Sequence, residues 1–148
     1  MSDRWSMCAS GPIHSAATSG VGVIGSVAAG RIHVYDWLFG HVGAADDNVI
    51  ANQVSRFTTA VPTGSAVTPI GLDLSAASHG TTTLSGSTGG TVTGCLISIP
   101  TNQRASHRWV AAPDGELVLP STVNTGILYT AVHASLATNM QTTFHWVS

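Results

Sequence analysis

Seven histidines, one acidic pair and two cysteines are the side chains of this 148-residue chain best suited to catalysis or metal binding. Their spacing decides against both. His14, His33, His41, His79, His107, His133 and His145 stand singly, with no HxH and no HxxxH, so no short segment offers two imidazoles to one ion. A β-fold metal centre built on HxH also wants a nearby glutamate, and Glu116 is the sole glutamate. Cys8 and Cys95 are too few for a disulfide framework or a zinc site and are expected to be free, buried thiols. Asp46-Asp47 is the only adjacent acidic pair, and Asp114 and Glu116 flank a turn, so the carboxylates read as caps and turn chemistry. A serine nucleophile would need a base and an orienting acid that no motif supplies. The expectation is a protein without enzymatic activity, metal or cofactor.

Gly20-Val21-Gly22-Val23-Ile24-Gly25 spells GxGxxG, with Asp36 downstream, in superficial imitation of a dinucleotide fingerprint. That fingerprint needs a preceding strand and a helix opening at its last glycine. Here Ala28-Ala29-Gly30 would end any helix within a turn, and the segment is expected to be a flexible connection.

Charge is scarce: five arginines, no lysine and seven acids make 8% charged residues where about 25% is usual. A folded chain of this mass exposes on the order of 7,000 Å², leaving a mostly neutral surface suited to burial against other subunits. Phosphate binding needs several cations acting together, so a nucleic-acid partner is not expected. The apolar stretch Val21 to Ala29 is far short of a ~20-residue span, and no membrane partner or targeting segment is expected. Arg56, Arg104 and Arg108 sit beside Phe57, His107 and Trp109, where a guanidinium can stack on a ring or fork onto a carboxylate or carbonyl. An intrachain tie is the commoner fate of any one of them. Interfaces nevertheless enrich Arg and Trp, which makes Arg4, Trp5, Met7, Arg56, Arg104 and Arg108 the candidate partner-contact residues.

The elements that must carry these residues are strands. Arg31 to Phe39 alternates with aromatic and β-branched residues on both faces, and Val49 to Thr59, Thr91 to Ile99 (ending before Pro100), Ile127 to Ala134 and Thr142 to Val147 read as further extended runs. In Arg104 to Gly126, Trp109-Val110 and Leu117-Val118-Leu119 flank Pro113-Asp114-Gly115, a turn in which Pro presets φ and Gly is expected to take φ > 0; Pro120 and Asn124 favour another reversal. Thr63 to Gly90 reads as loop with short strands, and at most one short helix is allowed, between Ala44 and Gln53 or near Ser75. The sum is one all-β domain over residues 1–148: a jelly-roll-like β-sandwich of seven to eight antiparallel strands. Residues 1–20 are expected to form an extended N-terminal arm, because Trp5 and Met7 would be wasted on a solvated tail.

The chain resembles small virion proteins of tailed bacteriophages, of the type that decorates or cements the capsid. The likeness covers about two-thirds of the chain, all of it from Gly30 onward and in the same order. It rests on Gln53 to Ala60, Ala66-Val67-Thr68-Pro69 with Leu72-Asp73, Arg104-Ala105 through Trp109-Val110-Ala111, and the Pro113-Asp114-Gly115 turn. Pro120-Ser121-Thr122, Asn124 to Ile127 and the closing His145-Trp146 complete it. Similar chains often carry a second glycine where Asp114 stands and an acidic residue after the tryptophan, where this chain has Val147-Ser148. The resemblance implies a β-sandwich, often trimeric, made in a host cytoplasm and seated on the outside of an icosahedral shell, where it bridges major capsid subunits. Two other functions fit the same residues: a carbohydrate-binding β-sandwich of a tail or fibre, and a neck or tail structural subunit.

Overall fold

Twelve strands and no helix occupy the described residues of the computed structural model, which are 3–13, 20–25, 30–44, 46–58, 62–73, 83–88, 91–136 and 138–148. In chain order the strands are β1 (Arg4–Pro12), β2 (Gly20–Gly25), β3 (Ile32–Val42), β4 (Val49–Phe57), β5 (Thr63–Ala66) and β6 (Ile70–Gly71). They continue as β7 (Thr83–Thr88), β8 (Val92–Asn102), β9 (His107–Val110), β10 (Leu117–Leu119), β11 (Gly126–Val132) and β12 (Asn139–Val147). Two antiparallel sheets result. The first has the order β10-β3-β12-β1-β6, with β9 also paired to β3; the second has the order β5-β7-β2-β11-β4-β8.

One apolar core lies between the sheets, because each strand that borders it presents every second side chain inward. Trp5, Met7, Trp37, Phe39, Phe144 and Trp146 come from the first sheet, and Val54, Ile127 and Tyr129 from the second. The Trp37 ring is centred 5.1 Å from Tyr129 in an edge-on contact and 4.4 Å from Phe39 in a stacked one. Polar atoms in this layer are matched: Trp37 Nε1 donates to Thr142 Oγ1 at 2.9 Å, and Tyr129 Oη donates to Asn52 Oδ1 at 2.8 Å. Asn52 Nδ2 in turn donates to Thr101 Oγ1 at 2.9 Å. Burial pushes the Tyr129 phenol far above its ordinary pKa, so it remains a donor at any physiological pH. Val23, Phe57, Leu84 and Leu128 form a second, smaller apolar cluster.

Several expectations are corrected. The expected arm is instead a strand over Arg4–Pro12: β1 runs beside β12 for nine residues, from Arg4 opposite Val147 to Pro12 opposite Asn139, and carries β6 on its other edge. The reason lies in its own period, since Trp5, Met7, Ala9 and Ile13 all face the core at 6% exposure or less. Residues 1, 2 and 14–19 of the expected arm lie outside the described residues. The glycine-rich segment is not a flexible connection but β2, buried along its whole length. A Cβ on Gly22 would stand 3.0 to 3.2 Å from Thr142, Ala9 and Met7, so the missing side chain is what lets the first sheet approach the second here.

Twelve strands therefore replace seven or eight: β1 and β2 arise where an arm and a connection were expected, and β5, β6 and β7 lie in the Thr63 to Gly90 segment where loop with short strands was expected. The possible helix over Ala44 to Gln53 is overridden by β4 from Val49 onward, and the one near Ser75 falls outside the described residues. β8 continues through Pro100 to Asn102, which is tolerable because β8 ends the sheet order and proline lacks only a donor that an edge can spare. Both thiols are free but exposed, not buried. In the Ala112–Gly115 turn, closed by Gly115 N–H donating to Ala112 O at 2.8 Å, Asp114 takes the left-handed conformation with φ of 62°, in place of Gly115. Proline before it and positive φ at that third position make the turn type II. Asn124 has the same φ of 62° in the reversal before β11.

Candidate functional site

The outer face of the first sheet is where polar side chains gather. Strand register builds them into rows that cross the strands. Cys8 on β1 lies opposite Thr143 on β12, Thr143 opposite Leu38 on β3, and Leu38 opposite Arg108 on β9. On one side of this row run Ser6, His145 and Asp36; on the other run Ser10, Gln141 and Gly40.

The first flanking row holds a buried carboxylate that accepts three hydrogen bonds. Asp36 is 1% exposed, and its carboxylate accepts from Arg108 Nε at 2.9 Å, Arg108 Nη2 at 2.7 Å and His145 Nδ1 at 2.9 Å. An ionised carboxylate can only accept, so His145 carries a proton on Nδ1. Burial by itself would raise the Asp36 pKa, but the hydrogen bonds from Arg108 and His145, with their charges, outweigh it and hold the carboxyl below its usual range. Tyr35 stacks on His145 at 6.2 Å between ring centres and covers the cluster from the side.

A His–Asp pair with Ser6 across the strand has the parts of an acyl-transfer triad in outline. Their linkage is different. Among the described residues no hydroxyl or thiol is hydrogen-bonded to His145, and Arg108 already matches the Asp36 charge that would stabilise an imidazolium. The cluster fixes Arg108, on the short β9, to the centre of the sheet. Among the described residues no group of three His, Cys, Asp or Glu side chains could hold a metal ion.

The second flanking row is a trough. Gly40 contributes no side chain, and Leu38, Ser106, Arg108, Gln141 and Thr143 line a cleft of about 340 Å³ around it. Gln141 and Thr143 also border a depression of about 390 Å³ at the β1 end, with Cys8, Ser10 and Ser85. Gly40 and Ser106 border a third, of about 370 Å³, which reaches Gln103 and Arg104 at the β8–β9 turn. Comparison with protein-family models, curated proteins and solved structures finds no match. Geometry and chemistry alone must therefore carry the functional reading.

The six candidate contact residues separate into two groups. Trp5 and Met7 are 5% and 1% exposed inside the chain's own core, which corrects their assignment to a partner surface. All four arginines make intrachain bonds: Arg4 Nη2 to Asp73 Oδ1 at 3.0 Å, Arg56 Nη2 to Val118 O at 3.3 Å, Arg104 Nε to Asp47 Oδ1 at 2.8 Å, and Arg108 to Asp36. Arg4, Arg104 and Arg108 keep about 60% of their side-chain surface open, so their stems and flat faces remain accessible. The structure brings Arg104 and Arg108 to one trough and leaves Arg4 and Arg56 elsewhere. Leu38, Gly40, Gln141 and Thr143 escaped the sequence reading. Their signal was their parity: they occupy the strand positions between inward-facing Trp37, Phe39, Met140, Thr142 and Phe144.

Proposed function

We propose that the chain is a non-enzymatic virion structural protein that decorates an icosahedral phage capsid, bridging major capsid subunits from the outer surface as a homotrimer. The observation that carries this reading is the near-cancellation of an already sparse surface charge. Three Arg–Asp pairs within the chain consume six of its twelve charged side chains. A surface of 7143 Å² is thus left with six charges outside these pairs, so burial against a partner strands few ions. Val49, Ile70, Leu72, Leu96, Val110 and Val123 are exposed apolar groups that such burial would use.

Topology supports a jelly-roll-like β-sandwich for the same protein. The first and last strands pair, β1 with β12, and so do the next ones in, β2 with β11. With β5, β6, β7 and β10 set aside as additions, β9-β3-β12-β1 in one sheet and β2-β11-β4-β8 in the other follow the nested order expected of a double-sheet jelly roll, which supports this reading. Decoration then works by mass action: each subunit adds buried area across a joint, and trimerisation multiplies weak contacts. The test is co-sedimentation of purified protein with shells, followed by particle reconstruction. Hundreds of copies on the outer lattice are the expected result; a single ring of copies at one vertex, or no association at all, would refute the proposal.

A further inference from the structure

We infer that the trough across the outer face of the first sheet is a binding site for a short neutral oligosaccharide. It crosses β1, β12, β3 and β9, three strand spacings or about 14 Å. Its middle cleft, about 340 Å³, lies within the range of small-ligand pockets. The floor is the Leu38 side chain beside the gap left by Gly40. The walls are Gln141, Thr143, Ser106 and Arg108, which offer donors and acceptors side by side. A sugar ring has matching chemistry: a C–H face for the floor and hydroxyls that both donate and accept for the walls.

Charge selects the neutral class. Arg108 is forked onto Asp36 and Arg104 is bound to Asp47, so an anionic ligand would compete with carboxylates already in place. A fully apolar ligand would strip water from the Gln141 amide and the Thr143 and Ser106 hydroxyls without replacing it. An extended peptide gains affinity by pairing with a strand edge, whereas this trough runs across four strands and meets their side chains. Arg108 needs no reorganisation to take part, because its tie to buried Asp36 fixes the guanidinium before any ligand arrives.

Gly40 supplies the decisive variant. A Cβ there would meet only Ser106, at 3.5 Å from its Cβ, an ordinary contact, and Gly40 has no left-handed φ to defend. Gly40→Leu therefore fills the trough while the fold is retained. The full-length protein is titrated with cellohexaose, maltohexaose, chitohexaose and a sialylated oligosaccharide, with binding read by calorimetry and by chemical-shift changes. At least one neutral probe binds with a sub-millimolar Kd, the sialylated probe binds no more tightly, and Gly40→Leu weakens the neutral probe at least tenfold with an unchanged melting temperature. Gln141→Ala, which removes one amide, weakens it about three- to tenfold. No binding of any neutral probe at about 5 mM, equal binding by Gly40→Leu, or preference for the sialylated probe overturns the inference. So does a trough that takes up an extended peptide while refusing every saccharide. The inference stands apart from shell decoration, since the probes are free sugars and no capsid is present.

Discussion

Truncating Trp5 should cost the protein much of its stability, because β1 is an interior element and the Trp5 side chain fills the space between the sheets. At 5% exposure Trp5 buries nearly all of its surface, roughly 200 Å² of it apolar, or about 5 kcal/mol as an upper bound at ~25 cal/mol per Å². Measured Trp→Ala truncations in cores fall at about 3–5 kcal/mol, so about 4 kcal/mol is the working figure. Unfolding entropy of roughly 2.1 cal/mol/K per residue over a chain of this length converts that loss into a drop in Tm of about 13 °C. Total stabilities of about 5–15 kcal/mol leave a folded but weakened variant. The assay is urea and thermal denaturation of Trp5→Ala, followed by near-UV circular dichroism. Deleting residues 3–12 is the stronger form: it unpairs β12 along nine residues and removes Met7 and Ala9 as well, so no cooperative transition is expected. A truncated protein that melts cooperatively near the intact Tm would refute the assignment of β1 to the core and return the segment to the role of an arm.

Asp36→Asn should reduce stability by about 1–2 kcal/mol at neutral pH, a figure kept small because Arg108 is mostly exposed and part of its attraction is screened. The folded pKa of Asp36 lies below its unfolded value, so its contribution is complete above the ordinary carboxylate range near pH 4 and vanishes as pH falls through the folded value. Denaturant midpoints measured from pH 7 to pH 2 should therefore fall less steeply in Asp36→Asn than in the parent, and parallel curves would contradict the tie. Gly126→Ala should yield insoluble protein, since its Cβ would meet Ile24 O at 2.2 Å and the Phe57 ring at 2.6 Å; soluble expression with native Tm would be inconsistent with the β2–β11–β4 packing. Asp114→Val, which puts a β-branched residue at φ 62°, should cost about 1–2 kcal/mol, while Asp114→Gly should remain within about 0.5 kcal/mol of the parent; equal losses in both would rule out the left-handed turn position.

The sequence revealed what period two and turn chemistry can express. Ile32–Val42 was legible because aromatic and β-branched residues alternate there, and the reversals at Pro113-Asp114-Gly115 and Asn124 because so few residues tolerate those conformations. β1 obeyed the same rule, with Trp5, Met7, Ala9 and Gly11 at every second position, but small residues between them and at its end made it read as a tail. β2 could not be read locally at all. Glycine lowers strand propensity, and the compensating fact, that Met7, Ala9 and Thr142 fill the space over Gly22, belongs to other strands. The ties of Asp36 to Arg108 and His145 span 72 and 109 residues, distances at which no spacing rule operates.

That same separation explains why the outer face of the first sheet carries the candidate site. Cys8, Thr143, Leu38 and Arg108 are far apart in sequence, yet the pairing of β1 with β12, β12 with β3 and β3 with β9 sets them in one row. Register alone does this, so a one-residue slip in any of the three pairings would turn its side chains to the core face and dissolve the row. The buried alternation of Trp5 and Met7 opposes such a slip of β1 on β12, since it would turn both large apolar side chains to the outer face. The residues first assigned to a partner surface thus act from the opposite face. By locking the register of β1 on β12, Trp5 and Met7 determine which polar side chains the outer trough can offer.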